Sequence, residues 1–371
     1  MARLDAIKAA IDADDFARAA ALARPLAMLG EPHANRYLGH ALFKLGHLDG
    51  ARAALNAVLK RTPDDVRTAY NLAMMDLAAG DWAAGFKGFE VRHQIRTPPA
   101  WVSRLGPAWD GGPVEGRTIL LYADQGFGDA IQFSRYARVL KDRGARVVLA
   151  AHPELRTLFA ASGLADEYVS AGDPIAVFDA HIALMSLPGA LGVRPDRVLA
   201  SEPYLQAPPA RLVERNGVGL VWAGNRRDRE EALRSLPPEA LDALLSSLKG
   251  RAVFSLQKNG EDELDGMAPG ATVVRMAHGA TVVPMGQEGF AQTASVIMAL
   301  DLVIAVDTAV AHLAGALGKP VWLLLNAAPD WRWLRGSDRT PWYRSMRLFR
   351  QDRLGDWGPV LNRVEQALAQ A

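Results

Sequence analysis

The sequence contains no cysteine. That excludes disulfides, thiolate metal sites and a cysteine nucleophile. It also has almost no net charge: 42 Lys and Arg face 41 Asp and Glu, leaving a formal +1. A chain so balanced exerts no global pull on nucleic acid or an anionic membrane. An unbroken apolar run is missing too. The most apolar stretch, LVIAVDTAVAHLAGALGKPVWLLL, is interrupted by Asp307, His312 and Lys319, so it reads as strand, helix and strand of a soluble core rather than a membrane span. The start, MARLDAIKAAIDADDF, carries acids throughout and has no apolar centre of the kind a signal peptide needs. A cytoplasmic protein is the simplest expectation. What the chain does have is length and apolar content: 371 residues, half of them hydrophobic, suffice for two or three domains with sizeable cores.

Two textures divide it. Residues 1–96 look helical, with apolar residues at three- and four-residue spacing and no strand-like alternation. LGHALFKLGHLDGARAAL matches LAMMDLAAGDWAAGFKGF, placing Gly46 on Gly80, Leu48 on Trp82 and Ala51 on Gly85, an offset of 34 residues that is the period of a tetratricopeptide repeat. A fainter earlier copy puts Phe16 and Ala19 in the places of Leu48 and Ala51. About three stacked helical hairpins are expected; an ordinary helical bundle is the plainer alternative. Residues 97–116, rich in Pro, Gly and Trp, read as a linker pinned by Trp101 and Trp109. Beyond it come short β-branched runs: RTILLYA, ARVVLAA, AHIALM, GVGLVWAG, AVFSLQ, ATVVRM, LVIAVD and PVWLLL. Helical stretches separate most of them, the pattern of parallel sheets covered on both faces. A polar, proline-bearing break at QAPPARLVERNG suggests two Rossmann-like domains, 117–212 and 213–371. Ligands of such sheets bind beyond the carboxyl ends of the strands.

Four polar clusters fall at those ends. Gly126 and Gly128 allow a sharp turn and close ligand approach, and Asp129 follows them near the first turn of a helix. From spacing alone an acid there is the more ordinary helix cap, and the triplet lacks the third glycine of a dinucleotide fingerprint, with Ile131 in its place. Asp307 ends a strand and Thr308 opens a helix, whose free N–H groups suit a phosphate; His312 shares that helix face with Thr308. A cap and a core histidine explain the same pattern. Gln257 and Lys258 end a further strand, where Lys258 can offer a point charge to a diphosphate or be a solvated loop lysine. Asn225, Arg226 and Arg234 follow another strand and can line an anion site or form a solvated mixed-charge loop.

Taken together, ILLYADQGFGDAIQFSRYARVLKDRGARVVL, GLVWAGN, RSLP, FSLQK, LDLVIAVDTAVAHLAGALGKPVWLLL and DWRWL…PWY resemble bacterial tetratricopeptide-repeat glycosyltransferases. These are similar to O-GlcNAc transferase-like proteins and ADP-heptose:lipopolysaccharide heptosyltransferases. The resemblance implies α-helical repeats followed by a GT-B pair of Rossmann-like α/β domains. It implies no cofactor and no obligatory metal, and the chain has no convincing Asp-x-Asp motif. It assigns Asp129 as general base, reversing the cap reading. Gly126, Gly128 and Gln132 of the same motif count as substrate-binding. It also implies donor-diphosphate contacts at Asp307, Thr308, Ala309 and His312 (DTxxAH), at Lys258 with Gln257, and more weakly at Asn225 and Arg234. Two departures stand out: related proteins often read DFxDTA where this chain has GFAQTA, so Gly289 and Gln292 replace acids, and Asp124 and Phe127 depart mildly from EQGLGD.

The implied function is inverting transfer of a sugar from a nucleotide-diphosphate donor to a hydroxyl. The repeats would hold a protein or peptide acceptor, with no nucleic acid involved. The alternatives are a non-catalytic adaptor with a vestigial nucleotide-sugar-binding body and a nucleotide-sugar epimerase, which leaves the repeats unexplained.

Overall fold

The computed structural model describes residues 2–95, 102, 106–170, 173, 177–199, 203–208, 217–224, 233–257, 273–274 and 289–370. They form two compact units. One comprises Met1–Ser103, Gly192–Pro195 and Ala327–Gly336; the other comprises Arg104–Leu191, Asp196–Asn326 and Ser337–Ala371. Among the described residues no helix is long and apolar enough to cross a membrane.

In the helical unit, α1 (Ala2–Asp12) pairs with α2 (Phe16–Met28), α3 (Pro32–Lys44) with α4 (Leu48–Arg61), and α5 (Val66–Ala78) with α6 (Trp82–Phe89). These are the three hairpins the 34-residue offset implies. Acidic caps start several helices: Asp15, Asp65 and Asp81 accept the N–H groups of Arg18, Thr68 and Ala84, which would otherwise lack partners. The matched glycines sit in matched turns, Gly46 at φ +84° and Gly80 at φ +86°, a left-handed conformation that glycine adopts without steric cost. Gly85 lets α6 lie close on α5, because a Cβ there would stand 2.7 Å from the Leu77 side chain. Residues 327–336, far along the chain, belong to this unit as well. Their Trp331 meets Trp82 and Phe86 edge to face, with centroids at 6.3 Å and 5.5 Å, a favoured aromatic geometry.

The second unit holds two parallel sheets. The first runs β3-β2-β1-β4, from β1 (Thr118–Tyr122), β2 (Arg146–Ala150), β3 (Glu167–Val169) and β4 (Ala180–Ala183). The second runs β10-β9-β8-β5-β6-β7, from β5 (Val218–Val221), β6 (Val253–Ser255), β7 (Val273–Val274), β8 (Leu302–Val306), β9 (Val321–Leu325) and β10 (Met346–Arg350). The central strands β1, β5 and β8 are almost wholly buried, as expected of parallel strands covered on both faces. Trp222, Leu244, Val306, Leu324, Phe349, Trp357 and Val360 share one core against the second sheet. The Trp109 end of the linker region is held firmly: its Nε1–H donates to the Gly112 carbonyl at 3.1 Å, and Ala108 bridges the β4 strand at His181. Trp101 lies outside the described residues.

Strand order reverses once in each sheet, beside β1 in the first and between β5 and β8 in the second. Ligands of open α/β sheets gather at such switch points. The turn holding Gly126 follows β1, and Asp307 follows β8. The three polar clusters of the C-terminal half therefore follow β8, β5 and β6, which are neighbours in the sheet.

Candidate active site

β1 ends at Tyr122, and a glycine turn leads into the Phe127–Phe133 helix with Gly126 as its N-cap. Asp129 is half-buried in the first helical turn. Its Oδ2 accepts the Gly126 N–H at 3.0 Å, so the acid does act as a cap, satisfying a donor at the helix start. Two neighbours brace the turn. The His152 Nε2 lies 2.9 Å from the Gln125 carbonyl, and Asp124 Oδ1 accepts the Met185 N–H. Phe127 stands 4.7 Å from His152 and 5.0 Å from Phe290, centroid to centroid.

Gly128 explains why the motif needs its second glycine. A Cβ there would stand 3.0 Å from His312 Cδ2 and 3.6 Å from Ala309 Cα. The turn carrying Asp129 thus lies directly against the start of the Ala309–Ala316 helix, and the bare backbone permits that approach.

On the opposite side, Thr308 is the N-cap of the Ala309–Ala316 helix, in extended conformation, with its hydroxyl donating to the Val306 carbonyl. Asp307 and His312 are both buried. Asp307 Oδ2 lies 3.4 Å from Arg234 Nη1, which also donates to the Asp307 carbonyl. Asp307 Oδ1 lies 3.8 Å from His312 Nε2, and His312 Nδ1 lies 2.9 Å from the Tyr343 hydroxyl. Gly128, Ala309, His312, Asp307, Thr308 and Arg234 therefore form one continuous patch, with Asp129 next to Gly128.

Not every expected residue faces it. Gln257 Oε1 accepts the N–H groups of Trp222 and Ala223, at 3.3 Å and 3.0 Å, and so fixes the loop after β5. Gln132 is fully buried, and its carbonyl accepts from Arg135 Nε. Asn225, Arg226 and Lys258 lie outside the described residues. Two neighbours had no role in the sequence reading although both fall inside quoted motifs: Arg135, which is completely buried, and Tyr343, whose hydroxyl burial pushes well above its ordinary pKa. Only their partners from distant parts of the chain mark them out. Among the described residues no three His, Asp or Glu side chains gather into a metal-binding group.

Residues 32–75 match the tetratricopeptide repeat, and residues 266–340 match glycosyltransferase family 9 (heptosyltransferase). The two matches fall on separate parts of the chain, the repeat near the start and the family 9 match in the C-terminal half. It is 25% identical to Protein FlbA of Caulobacter vibrioides over 370 residues, covering 88% of this chain and 60% of that protein. The chain thus spans less than two thirds of the length of this curated relative. Its fold resembles the glycosyl transferase family 9 structure from Veillonella parvula, with a TM-score of 0.52 at 10% identity over 71% of this chain and 99% of that one. The ADP-heptose lps heptosyltransferase II of E. coli aligns at a TM-score of 0.47 and 16% identity over 68% of this chain and 99% of its own. The repeat match and the Veillonella parvula structure agree with an architecture of helical repeats followed by a GT-B-like α/β body.

Proposed function

We propose that the chain is an inverting glycosyltransferase that moves a sugar from a nucleotide-diphosphate donor to an acceptor hydroxyl without a metal ion. The observation that carries this reading is the contact of Gly128 with Ala309 and His312. It brings the turn bearing the only acid of the glycine motif's helix against a helix start suited to a diphosphate.

The donor diphosphate would rest on the first N–H groups of the Ala309–Ala316 helix, where unpaired amides and the helix dipole favour an anion. Arg234 stands beside Asp307 at that end, and Lys258 and Asn225 are assigned to the same group by family resemblance. Of these, Arg234 and Lys258 are cations and take the charge-neutralising part that a metal would otherwise play, while Asn225 can offer only its amide hydrogens. Asp129, oriented by the Gly126 N–H, accepts the proton of the acceptor hydroxyl as that oxygen attacks the anomeric carbon. The bond from the anomeric carbon to the diphosphate oxygen breaks, and the leaving diphosphate keeps the electron pair. Preformed amides stabilise the charge that develops there. A single displacement of this kind inverts the anomeric centre. The repeats would supply a surface for a polypeptide acceptor, an analogy at the level of the fold.

The adaptor reading is favoured by two features: Asp129 already serves as a cap, and Gly289 and Gln292 stand where related proteins carry acids. A panel of uridine, adenosine, guanosine and cytidine nucleotide sugars separates the two readings. Turnover of one donor by the wild type, lost in Asp129→Ala while nucleotide binding persists, supports the enzyme. Binding without turnover across donors and acceptors supports the adaptor.

A further inference from the structure

Arg135 opens the Arg135–Asp142 helix and is completely buried. Among the described residues it forms no ion pair. Its charge is met by oxygens and rings instead. Nε donates to the Gln132 carbonyl at 2.9 Å, Nη1 to the Trp342 carbonyl at 2.9 Å, and Nη2 to the Tyr204 hydroxyl at 3.3 Å. The guanidinium lies over the rings of Tyr204, Tyr343 and Trp342, at 4.5, 4.9 and 5.6 Å from their centroids. Burying a charge without a counter-ion is costly, and an apolar side chain would fill the volume without that cost. The rigid fork does what an apolar residue cannot: it ties three separate segments at fixed angles.

One of those segments leads to the patch described above. The Tyr343 ring sits under the guanidinium and also lies close against Gly315, where a Cβ would stand 2.6 Å from the ring. Its hydroxyl meets His312 Nδ1 at 2.9 Å. The remaining edge of that imidazole faces Asp307 through Nε2 and Gly128 through Cδ2. An imidazole's second nitrogen is oriented by the partner of its first.

We propose that Arg135 and Tyr343 are positioning residues for His312: the guanidinium locks the tyrosine ring, the hydroxyl fixes the rotation of the imidazole, and Nε2 is thereby aimed at the Asp307 side where the leaving diphosphate gains charge. This rests on the glycosyl-transfer reading. Neither residue need touch substrate.

A double-mutant cycle tests it, with kcat expressed per nucleotide-binding site counted by calorimetry so that misfolded protein does not enter. Tyr343→Phe is expected to lower kcat by about 10- to 100-fold, the scale of a misplaced catalytic group, while the dissociation constant of the nucleoside diphosphate changes little. In a His312→Ala background the same substitution should cause no further fall. Arg135→Lys should follow the same pattern more weakly. Equal losses in both backgrounds, or an unchanged kcat in Tyr343→Phe, overturn the proposal. A second readout does not need turnover: in protein with 15N-labelled histidine, Tyr343→Phe should shift the Nδ1 resonance of His312, assigned with His312→Gln. An unmoved resonance overturns the positioning role. Absence of turnover in the wild type overturns the glycosyl-transfer reading instead, and the resonance still decides whether Tyr343 holds the imidazole.

Discussion

Asp129→Asn distinguishes a helix cap from a general base. Asparagine keeps a side-chain oxygen that can accept the Gly126 N–H, now 3.0 Å from Oδ2, but it has no charge and no useful basicity. The structural loss is therefore small. A carboxylate near a helix N-terminus is worth about 0.3–1 kcal/mol, which in a domain of this size corresponds to a drop in Tm of roughly 1–4 °C. The chemical loss is much larger. A general base contributes about 10²- to 10⁴-fold, or roughly 3–5 kcal/mol of barrier at 1.36 kcal/mol per decade. Asp129→Ala should show the same loss of rate together with the loss of the cap, which adds about 1 kcal/mol of destabilisation. The assay is kcat at saturating donor and acceptor, alongside calorimetric binding of the nucleoside diphosphate and a thermal melt. If Asp129→Asn turns over at the wild-type rate while Asp129→Ala only melts earlier, Asp129 is a cap and nothing more, and the base assignment is refuted.

Gly289 offers a second prediction. It has φ +61° and ψ −147°, a region nearly restricted to glycine, and a Cβ there would land on the Glu154 carbonyl oxygen, 2.9 Å from its carbon. Gly289→Ala should destabilise by about 3 kcal/mol, combining backbone strain and overpacking, and Gly289→Asp, which restores the acid of related proteins, should fare no better in a urea titration. A third concerns acid stability. Burial lowers the His181 pKa, against a smaller opposing contact with the Gly106 backbone, so the unfolded chain takes up this proton before the folded one does. Stability contributed by this group is intact above the ordinary imidazole value near 6.5, declines as pH falls through it and levels off below the folded value. Urea unfolding at about pH 7.5 and 5.5 should show that His181→Phe is less acid-sensitive than the wild type; equal sensitivity contradicts it.

The repeats were legible because their marks are local: Gly46 and Gly80 occupy equivalent left-handed turns, and Gly85 fixes a close helix approach. The two sheets were legible from apolar β-branched runs, which is how doubly covered parallel strands must read. β3 and β10 did not stand out, since EYV is short and MRLFR alternates arginine with apolar residues. The place of residues 327–336 in the helical unit was illegible for another reason. Trp331 finds Trp82 and Phe86 across most of the chain, and no spacing pattern records such a meeting. Arg135 and Trp342, 207 positions apart, were hidden in the same way. At Asp129 the sequence offered two meanings, and the Gly126 contact shows that the cap is real without removing the other.

The most direct measurement is a crystal structure of the full chain with a nucleoside diphosphate bound. The diphosphate is expected at the start of the Ala309–Ala316 helix, within hydrogen-bond reach of its first amides, with the Asp129 carboxylate facing the position of the missing sugar. A diphosphate bound elsewhere, or an Asp129 side chain directed away from it, would contradict the account.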